Sequence, residues 1–95
     1  MKYLAIENEL PGISKESIQP FLKAEAGRLW ELYLTGLVRE MYFRADRSEA
    51  VLVLECNDLE QAQAALASLP FVQEELITFE VIPLIPYPGF ARLFS

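Results

Sequence analysis

Ninety-five residues suffice for one domain with one small core, yet 53% of them are hydrophobic, above the ~45–50% usual for globular chains. A net charge of −6 with only eight Lys and Arg leaves no basic cluster for nucleic acid or an anionic membrane, so neither is expected as a partner. One cysteine and no histidine argue against an internal disulfide, Ser-His catalysis and a histidine metal site.

The single thiol suits a reducing, cytoplasmic compartment. "MKYLAIENEL" meets acids after too few apolar residues for a signal peptide, and no run approaches the eighteen or so apolar residues of a membrane span. No metal or cofactor is expected. A core this small cannot hide so much apolar surface, which makes a homo-oligomer the expected state.

In chain order, "KYLAI" (Lys2–Ile6) reads as a strand closed by the turn-forming "NELPG". The stretch "SKESIQPFLKAEAGRLWELYLTG" reads as a helix, with Ile18, Leu22, Ala26, Leu29 and Tyr33 as its apolar stripe. Lys23, Glu25 and Arg28 then fall on a solvated face. Ser14 or Ser17 can cap it: with Ser17, Pro20 sits harmlessly in the first turn, and with Ser14 it makes a kink. Gly36 supplies the left-handed residue at the helix end.

"VREMYFR" (Val38–Arg44) and "AVLVLE" (Ala50–Glu55) both alternate and form a hairpin across "ADRSE". With Tyr42 set opposite Val53, Met41, Phe43, Leu52, Leu54 and Cys56 share an apolar face, and Cys56 is expected to be buried and inert. Glu40, Tyr42, Arg44, Val51, Val53 and Glu55 share the other, mixed face. A second helix follows in "NDLEQAQAALASLP", capped by Asp58 with Gln61 and stopped by Pro70. The last strand is "LITFEVI" (Leu76–Ile82), with Ile77, Phe79 and Val81 on one side.

The order β-α-β-β-α-β implies an α+β ferredoxin-like domain spanning 1–95: a four-stranded antiparallel sheet with both helices on one face. The other face, assigned Tyr3, Ala5, Glu40, Tyr42, Val53, Thr78 and Ile82, stays bare. Two such faces packed together make a dimeric α/β barrel. Beyond it, "VIPLIPYPGFARLFS" is too proline-rich for helix or interior strand and too apolar for a solvated tail. Residues 83–95 are therefore expected to form an arm, its aromatics anchored on the partner's rim.

"TGLVREMYFRADRSEAVLVLE", "ALASLPF" and "ITFEVIPLIPYPG" resemble the muconolactone delta-isomerase family in the order and spacing of elements over roughly Lys23 to Phe94. The resemblance implies a ferredoxin-like protomer, barrel dimers able to assemble further, and cofactor-free isomerisation of a small lactone acid. Arg39 matches the family's arginine after the helix-end glycine, and Tyr42 occupies an aromatic position of that strand.

The residues themselves suggest a site on the mixed face. Glu40 opposite Glu55 would be a carboxylate pair in which one member stays protonated, Tyr42 an oxyanion donor, and Arg44, with Arg39, a clamp for a substrate carboxylate. Alternatively, these acids lie in water and pair with Arg39, Arg44 or Arg47. Two functions follow: isomerisation of a small carboxylated lactone or related organic acid, or a non-catalytic ligand-binding or oligomerisation module. RNA binding by the same element order fails, because "EAVLVLEC" carries no stacking aromatics and the charge has the wrong sign.

Overall fold

The computed structural model describes all residues from Met1 to Ser95. Its strands are β1 (Lys2–Glu9), β2 (Val38–Phe43), β3 (Ala50–Glu55) and β4 (Ile77–Leu84), and its helices α1 (Lys15–Ile18), α2 (Leu22–Leu34), α3 (Leu59–Ala67) and α4 (Pro70–Gln73). The antiparallel sheet has the order β2-β3-β1-β4, the α+β ferredoxin-like arrangement expected from the sequence. No helix is long and apolar enough to cross a membrane.

Local chemistry explains the element ends. Ser14 caps α1 by accepting from the Ser17 amide, and Pro20 then breaks the helix into a 3-10 turn (Gln19–Phe21) before α2. Gly36 takes φ 83° just past α2, where a Cβ would be strained. Asp58 accepts from the Gln61 amide at 2.8 Å while Gln61 reaches back to the Asn57 amide at 2.7 Å, so the capping box closes one residue further out than usual. Pro70 ends α3, as expected, and also opens α4, at a position where its missing donor costs nothing. Pro83 is tolerated within β4 because β4 is an edge strand.

The core forms between α2, α3 and one sheet face, where Leu52, Leu54, Leu69 and Val38 are fully buried with Ala62 and Leu66 around them. Cys56 is buried, as expected, and burial raises its thiol above the ordinary range.

Three expectations are corrected. Tyr3 and Ala5 belong to the core face, opposite Leu54 and Leu52; Leu4 and Ile6 face the bare side. β1 is an inner strand with apolar residues on both faces, so alternation alone could not orient it. The inward stripe of α2 runs through buried Glu25 and Leu32 and half-buried Leu29, while Leu22, Ala26 and Tyr33 are exposed. The helix is rotated because Glu25 accepts from the Phe71 amide at 2.9 Å and so ties α2 to α4.

The third concerns register. Tyr42 lies opposite Val51, not Val53. The hairpin closes with Arg44 N–H donating to Glu49 O at 2.9 Å, and ion pairs Arg44–Asp46 and Arg47–Glu49, both 2.7 Å, brace the loop. A bulge at Arg39 then lets Val38 face the core while Glu40 faces outward.

Candidate functional site

The residues singled out from sequence separate into four places. Glu40 lies opposite Val53, so the Glu40–Glu55 pair does not form. Glu55 instead sits beside Lys2 and accepts a 2.8 Å ion pair from the Met1 ammonium, which holds its carboxyl below the usual range. It borders a cavity of about 570 Å³ at the β4 exit, with Lys2, Leu84 and Ile85.

Tyr42 donates to Glu40 at 2.6 Å on the exposed β2 edge, and that bond raises the phenol above its ordinary value. Arg39 donates to the Gly36 carbonyl. Arg44 is held by Asp46 in the hairpin loop. Tyr42 and Glu40 therefore stand together, and the other three stand apart.

The acid with an unusual environment is one that sequence reasoning passed over. The β1–β3 ladder ends at Ile6 and Val51, and beyond it side chains take the place of backbone partners. Glu7 Oε1 accepts from the Ala50 amide at 3.3 Å, and Glu49 Oε2 accepts from the Glu9 amide at 3.1 Å. Two carboxylates thus latch the hairpin to β1. Glu7 is 8% exposed, and Glu25 and Glu49 are buried as well.

Burial is the largest influence on Glu7. The Ala50 bond opposes it, neighbouring Glu49, Glu25 and Glu9 add repulsion, and the carboxyl is pushed from 4.5 to about 7. Burial likewise raises Glu25, against its bond from Phe71. The only signal in the sequence was the alternation that places Glu7 on the same side as Tyr3 and Ala5, a side expected to be the bare sheet face and not the core.

Glu7 opens into a cavity of about 440 Å³, within the range of small-molecule sites. Glu9 continues its floor along β1. Ile13, Ile18 and Leu22 form the roof, with Lys15 the only cation among the lining residues. Phe71 and the largely exposed Phe43 complete the lining with Gln19 and Ser48. The result is an open cavity of mixed lining in which one buried carboxyl is raised toward neutrality and one ammonium stands nearby, which suits proton transfer on a small oxygenated molecule. No three acidic or thiol side chains are arranged to hold a metal ion.

No protein-family model matches the chain, and no curated protein matches it in sequence. Among solved structures it is similar to muconolactone isomerase, with a TM-score of 0.77 and 19% identity over 94% of this chain and 93% of that one. It is also similar to 5-chloro-2-hydroxyhydroquinone dehydrochlorinase from Burkholderia phenoliruptrix AC1100, solved with 2,5-dihydroxybenzoquinone: TM-score 0.65 and 17% identity over 94% of this chain and 98% of that one. The chain has the fold of muconolactone isomerase. At such identity the likeness speaks for fold and leaves the reaction to the residues.

Proposed function

We propose that the protein is a cofactor-free enzyme that moves a proton on a small carboxylated lactone or related organic acid, with Glu7 as the acid/base. The observation that carries this reading is Glu7 itself: a buried carboxyl, raised to about 7, at an open cavity that Lys15 also lines. Near neutral pH such a group is divided between base and acid, the condition for taking a proton and returning it elsewhere. Glu7 removes a proton from the carbon next to a carbonyl, the electron pair moves onto the carbonyl oxygen, and Lys15 steadies the enolate. The protonated Glu7 then delivers the proton to the far end of the conjugated system.

The two similar proteins support the substrate class. By their names one acts on muconolactone and the other on a chlorinated hydroxyhydroquinone, both small oxygenated rings. The test is proton NMR of muconolactone in D₂O with the protein. The expected result is exchange or isomerisation with the native chain and a loss of at least about 10²-fold with Glu7→Gln. Equal rates in the two would overturn the assignment.

A second reading places the reaction on the open sheet face, with Glu40, Glu55 and Tyr42 as reacting groups and Arg39 and Arg44 as substrate clamps. The Tyr42–Glu40 bond of 2.6 Å favours it, because a phenol so placed can donate to an oxyanion. Loss of turnover in Tyr42→Phe with Glu7→Gln unaffected would select this reading.

Self-association belongs to the same proposal. Leu4, Ile6, Val51, Val53 and Ile82 lie together on the uncovered sheet face, and a second copy packed there forms the dimeric barrel. Trp30 and Tyr33, stacked 5.7 Å apart on the outer side of α2, offer a further apolar contact for larger assemblies.

A further inference from the structure

Two glutamates tie the hairpin to β1 in a reciprocal exchange. Glu7 Oε1 accepts from the Ala50 amide at 3.3 Å, and Glu49 Oε2 accepts from the Glu9 amide at 3.1 Å. Both bonds span the gap beyond Ile6 and Val51, where the backbone ladder has ended. A neutral glutamine could make either bond, so hydrogen bonding alone does not explain why both residues are acids. Two buried carboxyls set close together are unfavourable unless one of them gives up its charge.

Their remaining oxygens differ. Glu49 Oε1 stands 2.7 Å from Arg47 Nε and 3.9 Å from Arg44 Nη1, so guanidinium groups balance its charge. Glu7 pairs with no cation, and its Oε2 accepts no hydrogen bond from the protein. This asymmetry gives the charge to Glu49 and the proton to Glu7. The unbonded Oε2 is the oxygen left to exchange that proton at the cavity Glu7 lines.

The other groups around Glu7 act less directly. Glu25, from α2, has its Oε1 engaged by the Phe71 amide of α4. Glu9 follows on β1 but is exposed, and water screens it. Lys15 lines the cavity from α1, and on β4 the residue paired with Glu7 is the uncharged Phe79. Burial is the largest influence on the Glu7 carboxyl; among the neighbouring acids Glu49 comes first, ahead of Glu25 and Glu9.

We infer that Glu49 is a positioning residue for the Glu7 reaction: it fixes the Glu7 carboxyl through the reciprocal latch and, charged against Arg47 and Arg44, keeps the proton on Glu7. This rests on Glu7 being the acid/base, and it deepens that reading. Glu49 is not among the residues lining the cavity, so it acts through Glu7 and not on the substrate. The hairpin loop thereby enters the chemistry, because its arginines set how strongly Glu49 bears on Glu7. Removing the Glu49 charge makes Glu7 a stronger acid and a weaker base; removing Arg47 does the opposite.

The experiment compares the full native chain with Glu49→Gln and Arg47→Gln by carboxyl ¹³C NMR from about pH 4 to 9. The Glu7 signal is assigned by its loss in Glu7→Gln. A glutamine at position 49 still accepts from the Glu9 amide, so that variant keeps the latch and removes the charge. The Glu7 midpoint is expected to fall by about one pH unit in Glu49→Gln. In Arg47→Gln it is expected to rise by about 0.3 unit, a smaller shift because the Arg47 side chain is largely exposed and screened. A purely structural role would not move the two in opposite directions. An unchanged midpoint in Glu49→Gln, or shifts of one sign in both variants, would overturn the inference. Should Glu49→Gln lose its cooperative urea transition, Arg47→Gln decides alone, a rise supporting the inference and no rise overturning it.

Proton NMR of muconolactone in D₂O supplies the second readout. The rise of kcat/KM with pH should move down in Glu49→Gln by the same interval as the Glu7 midpoint. A moved midpoint with an unmoved rate profile would remove Glu49 from the reaction. Turnover retained in Glu7→Gln would overturn the Glu7 reading and leave only the pairing of charges standing. An inactive Glu7→Gln beside an unmoved midpoint in Glu49→Gln would overturn the role of Glu49 alone.

Discussion

Glu7 and Glu55 lie on neighbouring strands of one sheet and end up at opposite extremes. Glu7 faces the helices at the Glu9 end, is buried among other acids, and is raised to about 7. Glu55 faces the uncovered side at the Lys2 end, takes the Met1 ammonium as partner, and is lowered. Residue type and secondary structure are shared. Solvation and the sign of the nearest charge are not, and these decide which carboxyl can exchange protons near neutrality.

The sharpest way to break this contrast is to exchange the two acids' roles. Glu7→Gln should cost at least about 10²-fold in turnover, whereas Glu55→Gln should leave turnover within about threefold under the Glu7 reading, measured on one substrate at one pH. The reverse ranking would move the site to the open face.

Stability should separate them next. Below pH 4.5 Glu7 is protonated in folded and unfolded chains alike. Between 4.5 and about 7 only the folded chain retains the proton, so stability falls as pH rises and is lower by about 3 kcal/mol above pH 7. Urea denaturation at pH 5 and pH 8 should show this fall in the native protein and its removal in Glu7→Gln, which should be the more stable at pH 8. For Glu55, whose folded carboxyl is lowered, the sign is opposite: its contribution is present above its unfolded value and lost as pH falls.

Two smaller effects refine the picture. Glu25→Ala removes the acceptor of the Phe71 amide and should destabilise by about 1–3 kcal/mol at pH 6, seen as a lower urea midpoint at constant slope. Val53→Arg places a charge in the centre of the bare sheet face. It should shift sedimentation toward monomer at tens of micromolar with little change in the fold, and a variant as associated as the native chain would exclude that face as the interface. The smallest effect belongs to Tyr42→Phe, which loses an exposed bond to Glu40 and should leave the melting temperature within error.

The particular residues show how far pattern reading reaches. The alternation in Ala50–Glu55 and its contrast with the helical spacing of Leu59–Ala67 were enough for the element order, and the order restricts the sheet topology to a few choices. The Asp58 cap, Gly36 and Pro70 marked element ends for reasons confined to a few neighbouring atoms. The faces of β1 were not legible, because an inner strand with Tyr3 and Ala5 on one side and Leu4 and Ile6 on the other has no polar side to give it away. The hairpin register was missed by two residues, because the ion pairs that close the loop between Arg44 and Glu49 are interactions of side chains, not of pattern.

Determined by the sequence alone were the ferredoxin-like order, the excess of apolar surface over what one small core can hide, and the proline-rich, apolar character of residues 83–95. These follow from local periodicity, backbone restriction and composition, which need no knowledge of distant neighbours. The tertiary structure alone decided that Glu7, an ordinary acid in an ordinary strand, lies under α1 beside Glu25 and Glu49. A carboxyl's proton affinity is set by the water it loses and the charges it meets, and both arrive from residues eighteen and forty-two positions away.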